Sequence, residues 1–387
     1  MAPIKDRRRS PGEARHGWTS TVGRRSALVI FCALLALFPC NLRALCQAHL
    51  PVIRATAPLV DIREGGELRR GQWRISPQLR PDVYTTHRKN QMVSFITDVD
   101  SISCDVRPDQ PFSFVILLNG TDSALTEVRY EPTAHFLTLQ GGGGYRHEPV
   151  EAQIPFVYDR ADDPALVAIR THFALDSIAG PGTDSTKVIN ILHWVHTSFP
   201  HNGSQDPPAS NSLEDLMTKV ITGHKAVDCG SLAKILNACY TSLGFRSRRI
   251  VCLPQDSTDV DCHSINSVFL PSHQAWVWMD PTNDAYVMDD HGHLLGISEV
   301  RQRLLDGLPL RLNEDANWNH RSAVTADGYL YSYMTKNLFA LNYYYRTRGK
   351  EGAVQLLPVG YAGPIPRTRD ASPTCTHDPD VFWGTGE

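Results

Sequence analysis

The segment that most constrains the fold of this chain is a helix whose start and end are both marked in the sequence. Its apolar side chains recur at helical spacing along one stripe, at Leu232, Ile235, Leu236, Cys239 and Leu243. Asp228 directly precedes the stripe and is a favourable N-cap, while Gly244 follows it and suits the C′ position where helices end. The sequence therefore predicts a buried helix that begins at Cys229.

Cys229 lies off the apolar stripe and beside Gly230, in the first turn of the predicted helix. Unpaired N–H groups and the positive end of the helix dipole favour thiolate over thiol at this position. The same N–H groups can receive a developing oxyanion. Most cysteines on helices are small buried hydrophobic residues, and Cys239 on the stripe is expected to be one. Cys229 thus becomes a candidate nucleophile only together with suitable partners downstream.

The partners are predicted by a β-hairpin that follows the helix. Residues 263–270 and 275–280 alternate between apolar and polar side chains and flank a turn that begins at Pro271. His263 opens one arm and Asp280 ends the other, so their side chains meet if both point to one face of the hairpin. A cysteine at a helix start followed by a His–Asp pair is the nucleophile, base and orienting residue of thiol acyl transfer. We predict these catalytic roles for Cys229, His263 and Asp280.

The region before this site is predicted to be rich in β-strands. Residues 50–90 are expected to be irregular because they are polar, contain several prolines and show no clear period, whereas 112–118 form a buried-strand run that ends at a hairpin signal, Asn119 followed by Gly120. The glycines at 141–144 indicate a flexible loop, and 155–158 indicate a short strand. We expect a small sheet or sandwich.

Helical spacing replaces the strand pattern after residue 181. One helix is predicted by the spacing from Val188 to Phe199, with Asp184 or Ser185 as its cap, and another over 213–221, ending near Gly223. The tail after Trp318 is rich in tyrosine and is expected to pack as helix or strand. These patterns together indicate the α+β fold class.

The N-terminus has the composition of a targeting segment. Residues 1–26 are polar and rich in arginine, and 27–38 form an uninterrupted apolar run closed by Pro39. Twelve residues make a helix of about 18 Å, too short for a hydrocarbon core of about 30 Å. This length is typical of a signal peptide, so we expect a periplasmic or extracellular protein. An uncleaved membrane anchor is the alternative.

Composition excludes several other classes. A net charge of −3 gives no electrostatic reason to expect nucleic acid as a partner. Nine cysteines in 387 residues are too few for a disulfide scaffold, and the chain contains no CxxC pair. His291 and His293 beside Asp289 are expected to form a solvated turn rather than a metal site. A disulfide between Cys252 and Cys262 is left open.

The segments Asp289-Asp290-His291-Gly292, Glu299-Val300-Arg301, Trp194-Val195-His196 and His201-Asn202-Gly203 resemble exported bacterial members of one family. Several further motifs, in this order and spacing, resemble the defining domain of that family, the transglutaminase-like domain of the papain-like superfamily. They are Asp228-Cys229-Gly230-Ser231-Leu232-Ala233, Leu243-Gly244-Phe245-Arg246-Ser247-Arg248, His263, and Trp276-Val277-Trp278-Met279-Asp280-Pro281-Thr282. The resemblance spans about residues 185–310. It implies the triad Cys229, His263 and Asp280, and a core in which the helix bearing Cys229 packs on an antiparallel sheet.

The chain also departs from the family pattern. Many members have His-Ala-Trp where this chain has His263-Ser264-Ile265-Asn266, which leaves the substrate side open. A second oxyanion donor beside the Cys229 amide is not identifiable. His201, Asn202 and Asn211 are the candidates, and a plain loop role is favoured for each.

These observations predict four parts of the chain: a signal peptide or anchor at 1–48, a β-rich region at 49–175, a catalytic domain at 176–320 and a C-terminal extension at 321–387. The expected function is thiol-dependent acyl transfer on a peptide or glutamine amide through a cysteine thioester, with hydrolysis favoured. Amine transfer, or a non-catalytic binding module that keeps the fold, are the alternatives. The expected partner is a protein or peptide substrate, no cofactor or metal is expected, and the oligomeric state is open.

Overall fold

The computed structural model describes residues 50–147, 156–347, 350–366 and 373–384. The predicted signal peptide or anchor at 1–48 lies outside these described residues. Within the described ranges, no helix is both long enough and apolar enough to cross a membrane.

Eight strands form two four-stranded sheets in the N-terminal part, with the strand orders β1-β7-β8-β4 and β3-β2-β5-β6. Both sheets contribute to one hydrophobic core, so the predicted β-rich region is confirmed. The strands are β1 (Val52–Ala55), β2 (Leu59–Glu64), β3 (Glu67–Arg74), β4 (Asp82–Thr86), β5 (Met92–Ile96), β6 (Ser101–Asp105), β7 (Phe112–Leu118) and β8 (Asp122–Tyr130).

The predicted hairpin turn is confirmed, because Asn119 and Gly120 join β7 to β8 and both have positive φ. The expectation that 50–90 is irregular was wrong. That range holds four strands, which glycine and proline interrupt so often that no run is long enough to show a period.

Two further local predictions were wrong. Gly141 and Gly142 do not form a flexible loop but end helix α1 (Ala134–Gly142), and a Cβ at Gly142 would lie 2.7 Å from the Phe339 ring. Gly142 therefore permits close packing. Phe156 and Tyr158 do not form a strand; they contribute aromatic contacts against Tyr343 and Trp276, respectively.

A helical layer follows, and its helices share a second hydrophobic core. Asp228 caps the last helix by accepting a hydrogen bond from the Ser231 amide at 2.6 Å, and Gly244 beyond its end has φ +89°. The predicted buried helix that begins at Cys229 is thus confirmed. The helices are α2 (Pro164–His172), α3 (Leu175–Ala179), α4 (Asp184–Ser198), α5 (Leu213–Gly223) and α6 (Cys229–Ser242).

Helix α6 packs on a six-stranded sheet with the order β11-β10-β9-β16-β17-β18. All neighbours pair antiparallel except β17 and β18. The tail of the chain therefore supplies half of the strands of this sheet, and the α+β class with the cysteine helix on a mostly antiparallel sheet is confirmed. The strands are β9 (Ser247–Leu253), β10 (His263–Leu270), β11 (Ala275–Met279), β16 (Ala340–Thr347), β17 (Lys350–Leu356) and β18 (Thr374–Thr376).

The connection from β11 to β16 crosses the open end of the hairpin. It contains a π-helix, Asp327–Met334, in which the Thr335 amide donates to the Leu330 carbonyl five residues earlier. π-Helical turns are rare and frequently occur at functional sites. The remaining elements are β12 (Val287–Met288), α7 (Ile297–Asp306), β13 (Arg311–Leu312), β14 (Asn317–Trp318), β15 (Ser322–Ala323), α8 (Thr335–Asn337) and α9 (Pro379–Trp383).

Candidate active site

Cys229 is the first residue of α6 and lies half-buried in a cavity of about 760 Å³. A Cβ at Gly230 would lie 3.9 Å from the Ser264 hydroxyl of β10, an ordinary contact distance, and 3.2 Å from the Asp228 carboxylate, which caps the helix. The helix start therefore lies beside the strand that carries His263. A side chain at position 230 would press on the capping carboxylate.

His263 and Asp280 meet at the open end of the β10–β11 hairpin. The Nε2 atom of His263 lies 2.8 Å from Oδ2 of Asp280, and both side chains are almost fully buried. Because Nε2 faces the carboxylate, Nδ1 is the imidazole nitrogen left for Cys229, which is hydrogen bonded to His263. The structure therefore brings together the three residues that the sequence analysis predicted to form the site, Cys229, His263 and Asp280.

Asp280 is held as a carboxylate by several donors. Its Oδ2 accepts from the Tyr329 hydroxyl at 2.5 Å and from the Asn283 amide at 2.9 Å, and its Oδ1 accepts from the Thr282 amide at 2.8 Å. Burial alone raises the pKa of a carboxyl group, but the charge of His263 and these hydrogen bonds outweigh it and lower the pKa of Asp280 to about 2. The sequence analysis did not identify Tyr329 or Asn283 as parts of the site.

The protonation of the Cys229–His263 pair follows from the same contacts. Burial raises the pKa of the Cys229 thiol, yet hydrogen bonds from His201 and His263, the charge of His263 and a bond from the Ser264 amide lower it to about 6. Burial lowers the pKa of His263, but Asp280 and the cysteine raise it to about 10. A thiolate–imidazolium pair is therefore favoured near neutral pH.

His201, one of the three oxyanion candidates, is hydrogen bonded to Cys229, whereas the sequence favoured a plain loop role for it. The indole Nε1 of Trp318 donates to Nδ1 of His201 at 3.1 Å, and an indole N–H is only ever a donor. Nδ1 is therefore unprotonated, so the neutral imidazole carries its proton on Nε2. Asn319 fixes the backbone of His201 on both sides, with its side chain bonded to the His201 amide at 2.7 Å and carbonyl at 2.8 Å.

The other two oxyanion candidates have the loop roles that were favoured for them. The Asn202 side chain accepts from the Ser204 amide, and Asn211 is bonded through its backbone amide to Asp215. Only His201 of the three is hydrogen bonded to Cys229 in the described part of the chain.

Two tyrosines of the π-helix line the cleft beside His263. Tyr329 binds Asp280, and the Tyr333 ring lies edge-on to the His263 imidazole, with centroids 5.3 Å apart. The Tyr333 hydroxyl also donates to Asp261 at 3.3 Å, in the loop that forms the lip of the cleft. The sequence predicted a tyrosine-rich tail that packs as helix or strand, but not these contacts with the site.

Asn266, at the departure from the family pattern, does not reach the cleft. It is fully buried, and its amide donates to the Ala233 carbonyl at 2.9 Å, which ties β10 to α6. This departure therefore affects packing behind the site.

The His291–His293 turn agrees with its expected structural role. Asp289 accepts from the amides of His291 and His293 and lies 3.0 Å from Nδ1 of His293. Cys252 is a free, fully buried thiol, so the disulfide to Cys262 that the sequence left open is not formed.

Comparison with known proteins bears on the part of the chain that carries this site. Residues 171–281 match the sequence model of the transglutaminase-like superfamily. A partial structural match joins this chain to a candidate cysteine protease from Cytophaga hutchinsonii, with 17% sequence identity and a TM-score of 0.25. It covers 42% of this chain and 50% of that protein, so the chain spans about half the length of this relative. No curated protein matches the sequence.

The matched residues run from α2 to the end of the β10–β11 hairpin and include Cys229, His263 and Asp280. The resemblance seen in the sequence is confirmed for this part of the chain: residues 171–281 form a transglutaminase-like domain.

Proposed function

We propose that this protein hydrolyses an amide bond of a peptide or protein through a thioester on Cys229. The family of its domain indicates a cysteine-dependent enzyme, and the specific reaction is our proposal. The observation that carries it is the placement of His263, bonded to Asp280 at 2.8 Å on one side and to Cys229 on the other. The catalytic roles of the three residues belong to the same proposal.

The first half of the reaction forms the thioester. The Cys229 thiolate attacks the amide carbonyl carbon, and the resulting oxyanion is held by the Cys229 amide and by Nε2–H of His201. His263 then gives the proton on its Nδ1 to the leaving nitrogen, so the carbon–nitrogen bond breaks and an amine departs. Asp280 fixes the imidazole so that Nδ1 faces the sulfur.

The second half releases the acyl group. His263, now neutral, takes a proton from water at Nδ1, and the hydroxide attacks the thioester carbon. The carbon–sulfur bond breaks, a carboxylic acid leaves, and the imidazolium–thiolate pair is restored. If an amine replaced water, the product would be a new amide.

Hydroxyl side chains in the lining of the cleft support water as the second nucleophile. Ser204, Thr282 and Thr325 line it, and Cys229 is only half-buried. We further propose that the protein acts outside the cytoplasm, because of the signal-like sequence at 1–48, and that its substrate is a protein or peptide encountered there.

A labelling experiment tests the catalytic cysteine. We expect iodoacetamide at pH 6.5 to alkylate Cys229 faster than a free thiol, and the His263→Ala variant to lose this preference. Cys262→Ser removes the second thiol that lines the cleft and serves as the control; it should leave the rate unchanged. Alkylation of Cys229 no faster than a free thiol would overturn the proposal and favour a non-catalytic module.

A second experiment separates hydrolysis from transfer. The protein is incubated with casein and a fluorescent primary amine, and both released amino groups and incorporated label are measured. Hydrolysis predicts new amino groups without label. Label found on glutamine residues with the native protein, but not with the Cys229→Ala variant, would overturn hydrolysis in favour of amine transfer.

A further inference from the structure

A second cavity, of about 560 Å³, adjoins the catalytic cleft. Val324 lines both cavities, so they lie on either side of this residue. One wall of the second cavity is the β2–β3 hairpin of the β-rich region, and the other is the segment around β13. A chain that leaves the catalytic cleft over Val324 would enter it.

The second cavity is rich in arginine. Its lining includes three exposed arginines, which form no ion pair within the described ranges of the chain: Arg63, Arg70 and Arg311. A fourth arginine, Arg88, is fully buried and already paired with Glu67 at 2.8 Å. Glu314 is then the one lining carboxylate that is not bonded to an arginine, so the cavity carries an excess of positive charge.

The tip of the β2–β3 hairpin, which lines this cavity, packs closely against two arginines. Gly65 and Gly66 both have positive φ, and a Cβ at Gly65 would lie 2.5 Å from Nη1 of Arg88. That nitrogen donates to the Glu64 carbonyl at 2.9 Å, which fixes the turn. Nε of Arg311 lies 3.9 Å from the position of a Cβ at Gly66. The cavity is thus a structured site rather than a loose charged surface.

The catalytic cleft differs from this cavity in its charged side chains. Neither lysine nor arginine lines it; of its two carboxylates, Asp261 is paired with Lys336 at 2.8 Å and Asp228 accepts from the Ser231 amide. A carboxylate of the substrate therefore finds unpaired guanidinium groups beyond Val324 and none beside Cys229. This difference between the two cavities favours a substrate whose negative charges lie at a distance from the reacting amide.

We infer that the second cavity is a recognition subsite for acidic side chains of the peptide substrate, a few residues from the amide that Cys229 attacks. The inference rests on the proposed function and names its substrate class. Arginine guanidinium groups bind carboxylates through paired hydrogen bonds, which suits the three unpaired arginines to aspartate and glutamate. The net charge of −3 on the whole chain disfavours a long polyanion such as nucleic acid.

Peptide binding to the Cys229→Ala variant tests the subsite without turnover. Two fluorescent peptides are compared by anisotropy: one with glutamine followed by a run of aspartate and glutamate, and one with those acids replaced by asparagine and glutamine. We expect the acidic peptide to bind roughly tenfold more tightly at low salt and to lose this advantage as salt is raised.

Substitutions locate the effect. Arg63→Gln, Arg70→Gln and Arg311→Gln combined should remove the preference for the acidic peptide. Arg54→Gln, which removes an exposed arginine of β1 outside the cavity, should retain it. Equal binding of the two peptides, or an equal effect of the control and the triple variant, would overturn the subsite. Because this assay needs no catalysis, its outcome is independent of whether Cys229 proves to be a nucleophile.

Discussion

The hydroxyl of Tyr329 donates to Oδ2 of Asp280 at 2.5 Å, the same oxygen that lies 2.8 Å from Nε2 of His263. Tyr329 belongs to the π-helix, whose first residue, Asp327, accepts hydrogen bonds from Arg69 and Arg88 of the β-rich region. The carboxylate of Asp280 is thus held by an element that is itself anchored to the N-terminal sheets. This chain of contacts links the β-rich region to the candidate site.

Tyr329→Phe removes one hydroxyl and keeps the ring. Because the lost bond is to a charged, fully buried acceptor, we expect the free energy of unfolding to fall by about 1.5–3 kcal/mol. The activity should fall as well, since the carboxylate then has fewer constraints on its orientation toward His263. Urea unfolding and the alkylation rate of Cys229 measure the two effects.

Tyr331→Phe is the matched control. Its hydroxyl accepts from the Gln91 side chain at 3.0 Å, on the side of the π-helix that faces the β-rich region. We expect a smaller loss of stability, about 1 kcal/mol, and an unchanged alkylation rate. Equal effects of the two substitutions on the rate would contradict a specific role for Tyr329.

Asp327→Asn tests the anchor of the π-helix. Arg88 is fully buried but keeps its pair with Glu67, and the Asp327 side chain is 30% exposed, so we expect the free energy of unfolding to fall by about 1–3 kcal/mol, less than for a fully buried pair. As a positioning residue, Asp327 should also be coupled to Tyr329, and the double variant should lose less than the sum of the single losses. Glu127→Gln, which breaks a more exposed pair with Arg129, is the control and should cost less than 1 kcal/mol. Additive effects of Asp327 and Tyr329 would show that the contacts act independently.

The pKa values of the pair set the expected pH dependence. The lowered pKa of Cys229, about 6, means that the thiolate is lost as pH falls through 6. The raised pKa of His263, about 10, means that the proton for the leaving amine is lost as pH rises through 10. Hydrolysis should therefore rise near pH 6 and decline toward pH 10. A single rise near 8.5, the ordinary pKa of a cysteine, would contradict a perturbed thiol.

The parts of the site that lie on regular elements could be predicted from sequence. The helix start at Cys229 follows from an apolar period of 3.6 and two boundary residues, and the meeting of His263 and Asp280 follows from a hairpin with a period of 2. Both patterns are local, so a single sequence contains them.

The contacts that the sequence did not reveal are long-range or irregular. Tyr329 reaches Asp280 from a π-helix, in which the hydrogen bonds join residues five positions apart. The side chains of such a helix follow neither the period of an α-helix nor that of a strand. Trp318 donates a hydrogen bond to His201 across 117 positions, so the tautomer of that histidine depends on a residue that no local pattern connects to it. The four short strands at 52–86 were missed because glycine and proline interrupt the sequence there.

His201 provides the sharpest test of the proposed chemistry. If its Nε2–H stabilises the oxyanion, His201→Ala should lower kcat by about 10²–10³ and change KM little. It should also raise the pKa of Cys229, since a hydrogen bond to the sulfur is lost. Trp318→Phe keeps His201 but frees its Nδ1, so the proton is no longer confined to Nε2 and a smaller loss of kcat, about tenfold, is expected. A change in KM alone for both variants would assign His201 to substrate binding, because an interaction made only in the transition state must appear in kcat.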